Sequence, residues 1–586
     1  MKKNGLLILT VILCATAAAL MAGVTWAQKG GTGSAAQESV TGGQQAPTLA
    51  GKDSAESDEK NSDTTEASTV PSEQEGTVRA CFLSSSEYER ILSGKEQYDF
   101  DPAGLLFEGQ SIPYDRESRT AYLPQGLNDP EWSGSLRTSV PGGQICILND
   151  TQDDKQTLIE EGRTCRLAVV SESGYMECNL LFTGLPVVCM SNGEGVIEGE
   201  EEYRGTILVF DPYREQYQGS DCTFHVRGAT SLLFDKKSYR VELQQTRGSS
   251  DKKSFLGMRS DDDWILNSLC TDRSLSREKI CYKLWRDLNA MEERPVASSE
   301  IEYCELIVNG EYMGVYGLMY PVDKKLMGMN PGDLLYKVGT WYEEISIEGQ
   351  LTNYNGQTEV LNRNGVPYLT LKYPKEAGNA CIYDPFQLYQ EMVFETGDLS
   401  KMEEEGISLN LDNFILHELF CEMTRAGDNT WKNLFLAAYR NNEGGYTLNE
   451  TIWDLNYTFG DDFTWDPDHG NTVFDPGTTD SYEIRDDRDY GYASLVHIVD
   501  GLREDTGVKW RKWRSQGIDP EYVREMFEEN RSYLEKSGAF KRNSLKWYEG
   551  SQDPSYAEVY EWIDGRFRFL DKMYEYDNYS APRKKD

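Results

Sequence analysis

The chain has 586 residues, 98 of them acidic and 59 basic, for a formal net charge of −39. Such acidity excludes the basic stripe that nucleic-acid binding needs and the polybasic grip on anionic lipid, and leaves solubility and self-repulsion as its main effects. With 35 Tyr and 12 Trp it is no disordered acidic polymer, and its length allows two or three domains around a large core.

Residues 1–27 read as an export segment. Lys2 and Lys3 precede the apolar, uncharged run "GLLILTVILCATAAALMAGV", and small residues surround Ala27. The run is long for a cleaved signal and close to a spanning length, so cleavage and retention as an N-terminal anchor both stay open. Leu13 before Cys14 argues against lipidation. Residues 28–78 are Gly, Ser, Thr, Gln and Glu with few large apolar side chains, which is expected to give a disordered spacer. Together these segments place the folded part outside the cell or at its surface, with an anchor as its only membrane contact.

Residues 79–195 are expected to form a small β-rich domain. "PGGQICILND", "TCRLAVVSES" and "YMECNLLFTGLPVVCMS" are β-branched and aromatic runs broken by turn residues. No chemistry is visible in them. From about 196 to 575 the pattern is mixed α and β, followed by a charged tail at 576–586. "GTILVFDP" and "CTFHVRG" read as strands, and "KKSYRVELQQ" alternates Tyr239, Val241 and Leu243 against polar residues. Ile280, Leu284 and Leu288 recur at helical spacing, with Ser276 as N-cap. "IEYCELIVNGEYMGVYGLMYPV" is a hairpin across Asn309-Gly310. Residues 340–400 look irregular. A helix over 411–426 carries Phe414, Ile415, Leu419 and Met423 on one face, and three amphipathic helices lie beyond about 490.

The cysteines and histidines carry no recognisable site. Twelve Cys include Cys14 in the leader, and the remaining eleven are odd in number, so pairing as disulfides outside the cytosol would leave at least one over. No CxxC, HExxH or nucleophile elbow occurs, which argues against zinc and against Ser or Cys hydrolases. The acidic run "GDDFTWDPDHG" lacks the register of an EF-hand loop and reads as a solvated loop rather than a Ca²⁺ site.

The helix at 411–426 delivers Asp428. Asn433 follows five positions later, then two strand-like runs around "NNEGG", then Asp454. Helix, Asp-x4-Asn loop, hairpin and Asp is the order of a protein-kinase catalytic segment. There the first Asp acts on the attacking hydroxyl, and the Asn and last Asp are hard oxygen ligands for magnesium. The bland alternative is a helix-ending turn at Asp428 and a capping Asp454.

Upstream blocks extend the pattern. "HVRGATSLLFDKKSYRVEL", "SFLGMRSDDDWILNSLCTDRSLSREKICYKLW", "CELIVNGEYMGVYGLM", "GDNTWKNLFLAAYR" and "WDLNYTFG", in this order over roughly residues 195–470, resemble the CotH kinase family of spore-coat and secreted proteins. The resemblance implies an α+β, atypical protein-kinase-like bilobal fold behind the β-rich domain and spacer. It implies transfer of phosphate from ATP, with Mg²⁺ or Mn²⁺, to Ser or Thr of an exported protein. Asp428 matches the family's catalytic Asp and Asp454 its metal-binding Asp; Asn433 fits the metal-binding Asn by spacing. Arg227 and Lys236-Lys237 fall where the nucleotide phosphates are gripped. Which lysine acts stays open, although the face shared with Tyr239, Val241 and Leu243 favours Lys237; Glu278 on the following helix either pairs with the lysine, as in typical kinases, or is an ordinary surface Glu, the commoner case. The family's Trp-Asp-x-Asp is Trp453-Asp454-Leu455-Asn456 here, so Asn456 keeps a ligand oxygen and loses a charge. No GxGxxG loop is visible. A non-catalytic coat or surface protein on the same fold is the alternative function; a glycosidase is a weaker third, since no carboxylate pair is singled out by spacing.

Overall fold

The computed structural model describes residues 75–576 apart from 194, 196, 198, 200, 229, 246–248, 340–357, 362–366, 379, 430–431, 467–469, 474–475, 477–498 and 500–501. The expected leader, the spacer up to residue 74 and nearly all of the charged tail lie outside the described residues, as do the side chains of 462–470 in the acidic run.

The Asn309-Gly310 hairpin organises the first part of the fold. Strands Ile301–Val308 and Glu311–Met319 pair antiparallel, and both turn residues are left-handed, with φ of 50° and 76°. A two-residue turn between right-twisted strands requires that backbone, which Asn and Gly adopt at least cost. The hairpin belongs to a closed barrel that runs Val187–Ser191, Tyr203–Asp211, Gln216–Arg227, Ser238–Gln244, Asp263–Asn267, Glu311–Met319 and Ile301–Val308. Parallel pairing of the last with the first shuts the ring. Strand Val187–Ser191, which the sequence groups with the N-terminal β region, is thus a barrel strand. Tyr239, Val241 and Leu243 are buried with Phe224, Trp264 and Leu318, as their alternation predicts. Lys236 and Lys237 stand just before that strand, which begins at Ser238.

Preceding the barrel, strands within 75–183 form a four-stranded and a seven-stranded sheet. Their core of Leu105, Phe107, Leu167 and Phe182 continues into Val187, Phe210, Ile307 and Tyr312 of the barrel, where Tyr122 stacks on Tyr312 at 5.1 Å.

Helix Arg277–Asn289 buries Ile280, Leu284, Trp285 and Leu288 against helix Leu411–Thr424 and the C-terminal helices, with Trp285 edge-on to Phe420 at 5.5 Å. Ser276 occupies the N-cap position but makes no capping hydrogen bond. Asp272 does this instead, accepting from the N–H groups of Ser276 and Arg277 at 2.8 Å each. The stretch read as irregular contains strand Pro367–Tyr373 and the short strand Glu359–Leu361. With Leu334–Val338, Leu434–Arg440, Tyr446–Ile452 and Ile407–Leu409 they make a six-stranded sheet. These strands are short and punctuated by prolines, and long-range pairing rather than local pattern defines them. The whole is a mixed α+β fold. Among the described residues no helix is long and apolar enough to cross a membrane. Beyond Cys81, the described cysteines are thiols, most of them buried.

Helix Ala539–Trp547, the last but one among the described residues, docks on the barrel through polar groups. Arg542 donates to both oxygens of the fully buried Glu305 at 2.7 and 2.8 Å, and Tyr312 donates to the same carboxylate at 2.6 Å. Asn543 Oδ1 accepts from Val315 N (3.1 Å) and from Lys236 Nζ (2.9 Å), and Lys236 also donates to Val315 O at 2.5 Å. Gly314 lets the helix approach, since a Cβ there would stand 2.6 Å from Asn543 Oδ1. Arg542→Ala strands a buried carboxylate and is expected to destabilise the fold by about 3–5 kcal/mol. Denaturant unfolding checks this; a change below about 1 kcal/mol would mean that the pair is not what holds the joint.

Candidate active site

Helix Leu411–Thr424 ends at Arg425, whose φ of 56° turns the chain, and a tight buried turn over Gly427–Asn429 follows. Asp428 is only 8% exposed. Its carboxylate accepts from Lys432 Nζ at 2.9 and 3.0 Å and from Asn433 Nδ2 at 2.8 Å. Burial pushes its pKa above the usual carboxylate range against the pull of Lys432, and the charge of Asp454 adds to the rise. Asn433 is left-handed (φ 53°) and leads into strand Leu434–Arg440.

The hairpin then returns the chain to the same place. Leu434 pairs with Ile452, so Asn433 and Trp453 leave the strand ends side by side. Asp454 follows, again left-handed (φ 60°), with an exposed side chain. The amide of Asn429 spans the two ends, its Nδ2 lying 2.6 Å from Trp453 O, 3.2 Å from Asn433 O and 3.4 Å from Asp454 O. The structure therefore brings Asp428, Asn433 and Asp454 together. Asn456 turns to the loop before helix Arg277–Asn289, donating to Thr271 Oγ1 at 2.7 Å.

Across from these acids stands a group of cations. Arg227, at the end of its barrel strand, lies over the Trp453 ring at 5.9 Å and interacts with Asp454 and Glu278. Glu278 sits in the first turn of its helix and is 5% exposed. It accepts from Asn267 Nδ2 at 2.7 Å. Burial, then the charge of Asp454, pushes its carboxyl up to about 8. Glu278 thus faces Arg227 and Asp454, and neither Lys236 nor Lys237 is its partner among the described contacts. Lys236 is buried in the joint described above, with its ammonium 4.8 Å from the Tyr316 ring centre and its pKa pushed down to about 7 by burial. Lys237 donates to the carbonyls of Leu232 (2.7 Å) and Phe234 (2.5 Å).

The lysine beside Arg227 and Asp454 is Lys337, on the six-stranded sheet. It pairs across to Phe435, which pairs with Thr451, so these side chains share one sheet face, and Phe435 meets the Trp453 ring edge-on at 5.8 Å. Burial, then Arg227 and Lys372, push the Lys337 ammonium down to about 8, with Asp454 opposing. Arg240, on the same barrel face as Arg227 by strand register, donates to Asp263 and joins the group. Sequence reading missed Arg240, Lys337, Lys372, Lys432 and Asn429. Lys432, between the Asp and the Asn of the spaced pair, was the one most within reach of inspection.

Among the described residues no three His, Cys, Asp or Glu side chains form a metal cluster. A nucleotide-bound Mg²⁺ does not need one, since it takes one or two carboxylates and leaves the rest to phosphate and water. Asp454, an exposed carboxylate just past the strand end that adjoins Asn433, is a donor of the kind that demand calls for. A family model described as CotH kinase protein matches residues 224–570, more than half of the chain. The chain belongs to the CotH kinase family. No curated protein matches it. The CotH match begins three residues before Arg227 and ends in the last helix, so it takes in the cation group, both acidic turns and the C-terminal joint.

The position of Glu278 gives a pH dependence with a definite sign. Its folded pKa of about 8 lies above the ordinary 4.5, so its contribution to stability is full below about 4.5 and is lost as pH rises through about 8. Glu278→Gln removes that loss. In melting experiments without metal or nucleotide, the midpoint of Glu278→Gln relative to the parent is expected to climb across this window. A difference that stays flat with pH would show that Glu278 ionises normally.

Proposed function

We propose that this CotH-family protein is an exported kinase with a bilobal, protein-kinase-like arrangement, transferring the γ-phosphate of ATP to Ser or Thr of a secreted, coat or surface protein. The observation that carries the reading is the return of one hairpin, which sets Asp454, close to Arg227 and Lys337, at the strand end adjoining Asn433, whose amide holds Asp428. Phosphoryl transfer is mostly positioning and charge stabilisation, and this arrangement provides both.

In this reading Asp428 receives the proton of the acceptor hydroxyl. Its raised pKa suits a base, and Lys432 and Asn433 fix its oxygens so that one geometry is presented. Asp454 and Asn433 would hold the divalent cation, which when bound draws charge from the phosphate oxygens. Arg227 and Lys337 grip the phosphates, with Lys372 and Arg240 behind them. Glu278 orients Arg227 and is itself oriented by Asn267. Lys236 belongs to the joint in this scheme, and Asn456 steadies the turn after Asp454 through Thr271.

Two variants separate binding from transfer. Asp454→Ala is expected to abolish metal-dependent ATP binding, because it deletes the one exposed carboxylate of the turn. Asp428→Asn keeps the shape, so binding should persist while transfer falls by about 10²–10⁴. Nucleotide titration and phosphate transfer, run on both variants beside the parent, decide the matter. Parent-like binding by Asp454→Ala, or parent-like transfer by Asp428→Asn, defeats the assignment. A third substitution tests the cation group: Lys337→Met is expected to weaken Mg-ATP binding at least about tenfold, whereas Lys237→Met leaves it near the parent value.

A further inference from the structure

Asn429 adjoins Asp428, and its side chain lies against the ends of the hairpin strands. It is 1% exposed, and its amide nitrogen faces the carbonyls of Asn433, Trp453 and Asp454. Its Oδ1 is buried and has no hydrogen-bond partner among the described residues. Leaving such an oxygen unpaired costs about 1–3 kcal/mol, so its orientation is set by what the nitrogen does.

Three carbonyl dipoles pointing at one spot repel each other unless a donor sits between them. They converge because Asn433 and Asp454 are both left-handed, a conformation that costs non-glycine residues roughly 1–2 kcal/mol each and persists where surroundings over-determine it. A neutral –NH₂ group supplies two donors from one atom and fills the spot. A carboxylate of the same shape supplies none, and an aliphatic side chain offers the three carbonyls no donor.

The clamp is itself fastened at both ends. The Asn429 N–H donates to Ala426 O at 3.1 Å, and Asn429 O accepts the Cys421 thiol of helix Leu411–Thr424 at 4.0 Å. Cys421 meets His417 Nε2 at 3.7 Å, and His417 Nδ1 pairs with Glu450 at 3.0 Å. Glu450 lies on the strand that runs into Asp454. Helix, catalytic turn and returning strand thus meet around one amide.

We propose that Asn429 is a positioning residue that sets the separation of the Asp428 and Asp454 carboxylates, by holding the two left-handed turns through their carbonyl oxygens; this rests on the phosphoryl-transfer reading of the site. Asn429 touches neither nucleotide nor acceptor in this role. Its loss should therefore fall on turnover rather than on nucleotide binding.

The test uses the full chain with Asn429→Asp, which keeps the shape and loses the donors, and Asn429→Leu, which keeps the bulk and cannot donate at any pH. At about pH 8 both are expected to lose about 10² in kcat, the scale of an ångström of misplacement, while KM for Mn-ATP stays within about threefold. Melting midpoints confirm that each variant is folded at the assay temperature. A folded Asn429→Asp that turns over at the parent rate, or losses in both variants that follow the unfolded fraction alone, overturns the clamp. A parent that neither binds Mn-ATP nor transfers phosphate overturns the phosphoryl-transfer reading and the proposal with it, a result distinct from the first two.

Discussion

The Asp454 carboxylate lies close enough to two buried acids, Glu278 and Asp428, to disfavour their ionisation, and much of the local structure answers that repulsion. The charge of Asp454 raises the pKa of both Glu278 and Asp428. Each acid arrives on a different element: the first turn of a helix, a tight turn after another helix, and the end of a hairpin strand. Packing brings these elements together for apolar reasons, through Trp285, Phe420, Phe435 and Trp453, and the charges must be accommodated afterwards. Lys432 takes Asp428, and Arg227 stands between Glu278 and Asp454.

The cations have their own difficulty. Burial works against the charged forms of both Arg227 and Lys337, and each is further disfavoured by cationic neighbours. Neither set of charges is fully relieved by the other. A ligand that carries both signs, a divalent cation bound to phosphates, would relieve both at once: the metal on the acids and the phosphate oxygens on the bases. The same argument disfavours a purely anionic or purely cationic occupant, each of which would ease one set and worsen the other.

The acidic half of this site was legible in the sequence and the basic half was not, for a reason of topology. Asp428, Asn433 and Asp454 lie on one short hairpin unit, so chain order alone predicts their meeting. Arg227 could be placed only by resemblance. Lys337 and Lys372 reach the site through pairings between distant strands, such as Leu334–Val338 with Leu434–Arg440, and strand Pro367–Tyr373 was read as irregular chain, whereas Arg240 lies on the strand next to that of Arg227. Glu278, for which the sequence left open a lysine partner or a plain surface position, is buried and interacts with Arg227. The twin lysines misdirect because a motif names residues without saying what they touch. Lys236 and Gly314, both in blocks that carry the family resemblance, meet at Asn543 of a C-terminal helix.

That joint bears on the chemistry through distance. The barrel carries Arg227 and Arg240, whereas Asp428 and Asp454 belong to the helix and sheet beneath it, so the gap between cations and acids is set by how the two parts are held. Apolar packing alone permits sliding, because it is non-directional. The directional contacts are polar: Arg542 on Glu305, Asn543 on Val315 and Lys236, and Trp547 Nε1 donating to Met313 O at 2.9 Å. All end on the two strands of the Asn309-Gly310 hairpin or beside the strand that begins at Ser238, which is the neighbour of the strand that ends in Arg227. A helix late in the sequence thereby ties down the barrel wall next to the strand that presents Arg227, and the family match, which runs to residue 570, takes that helix in.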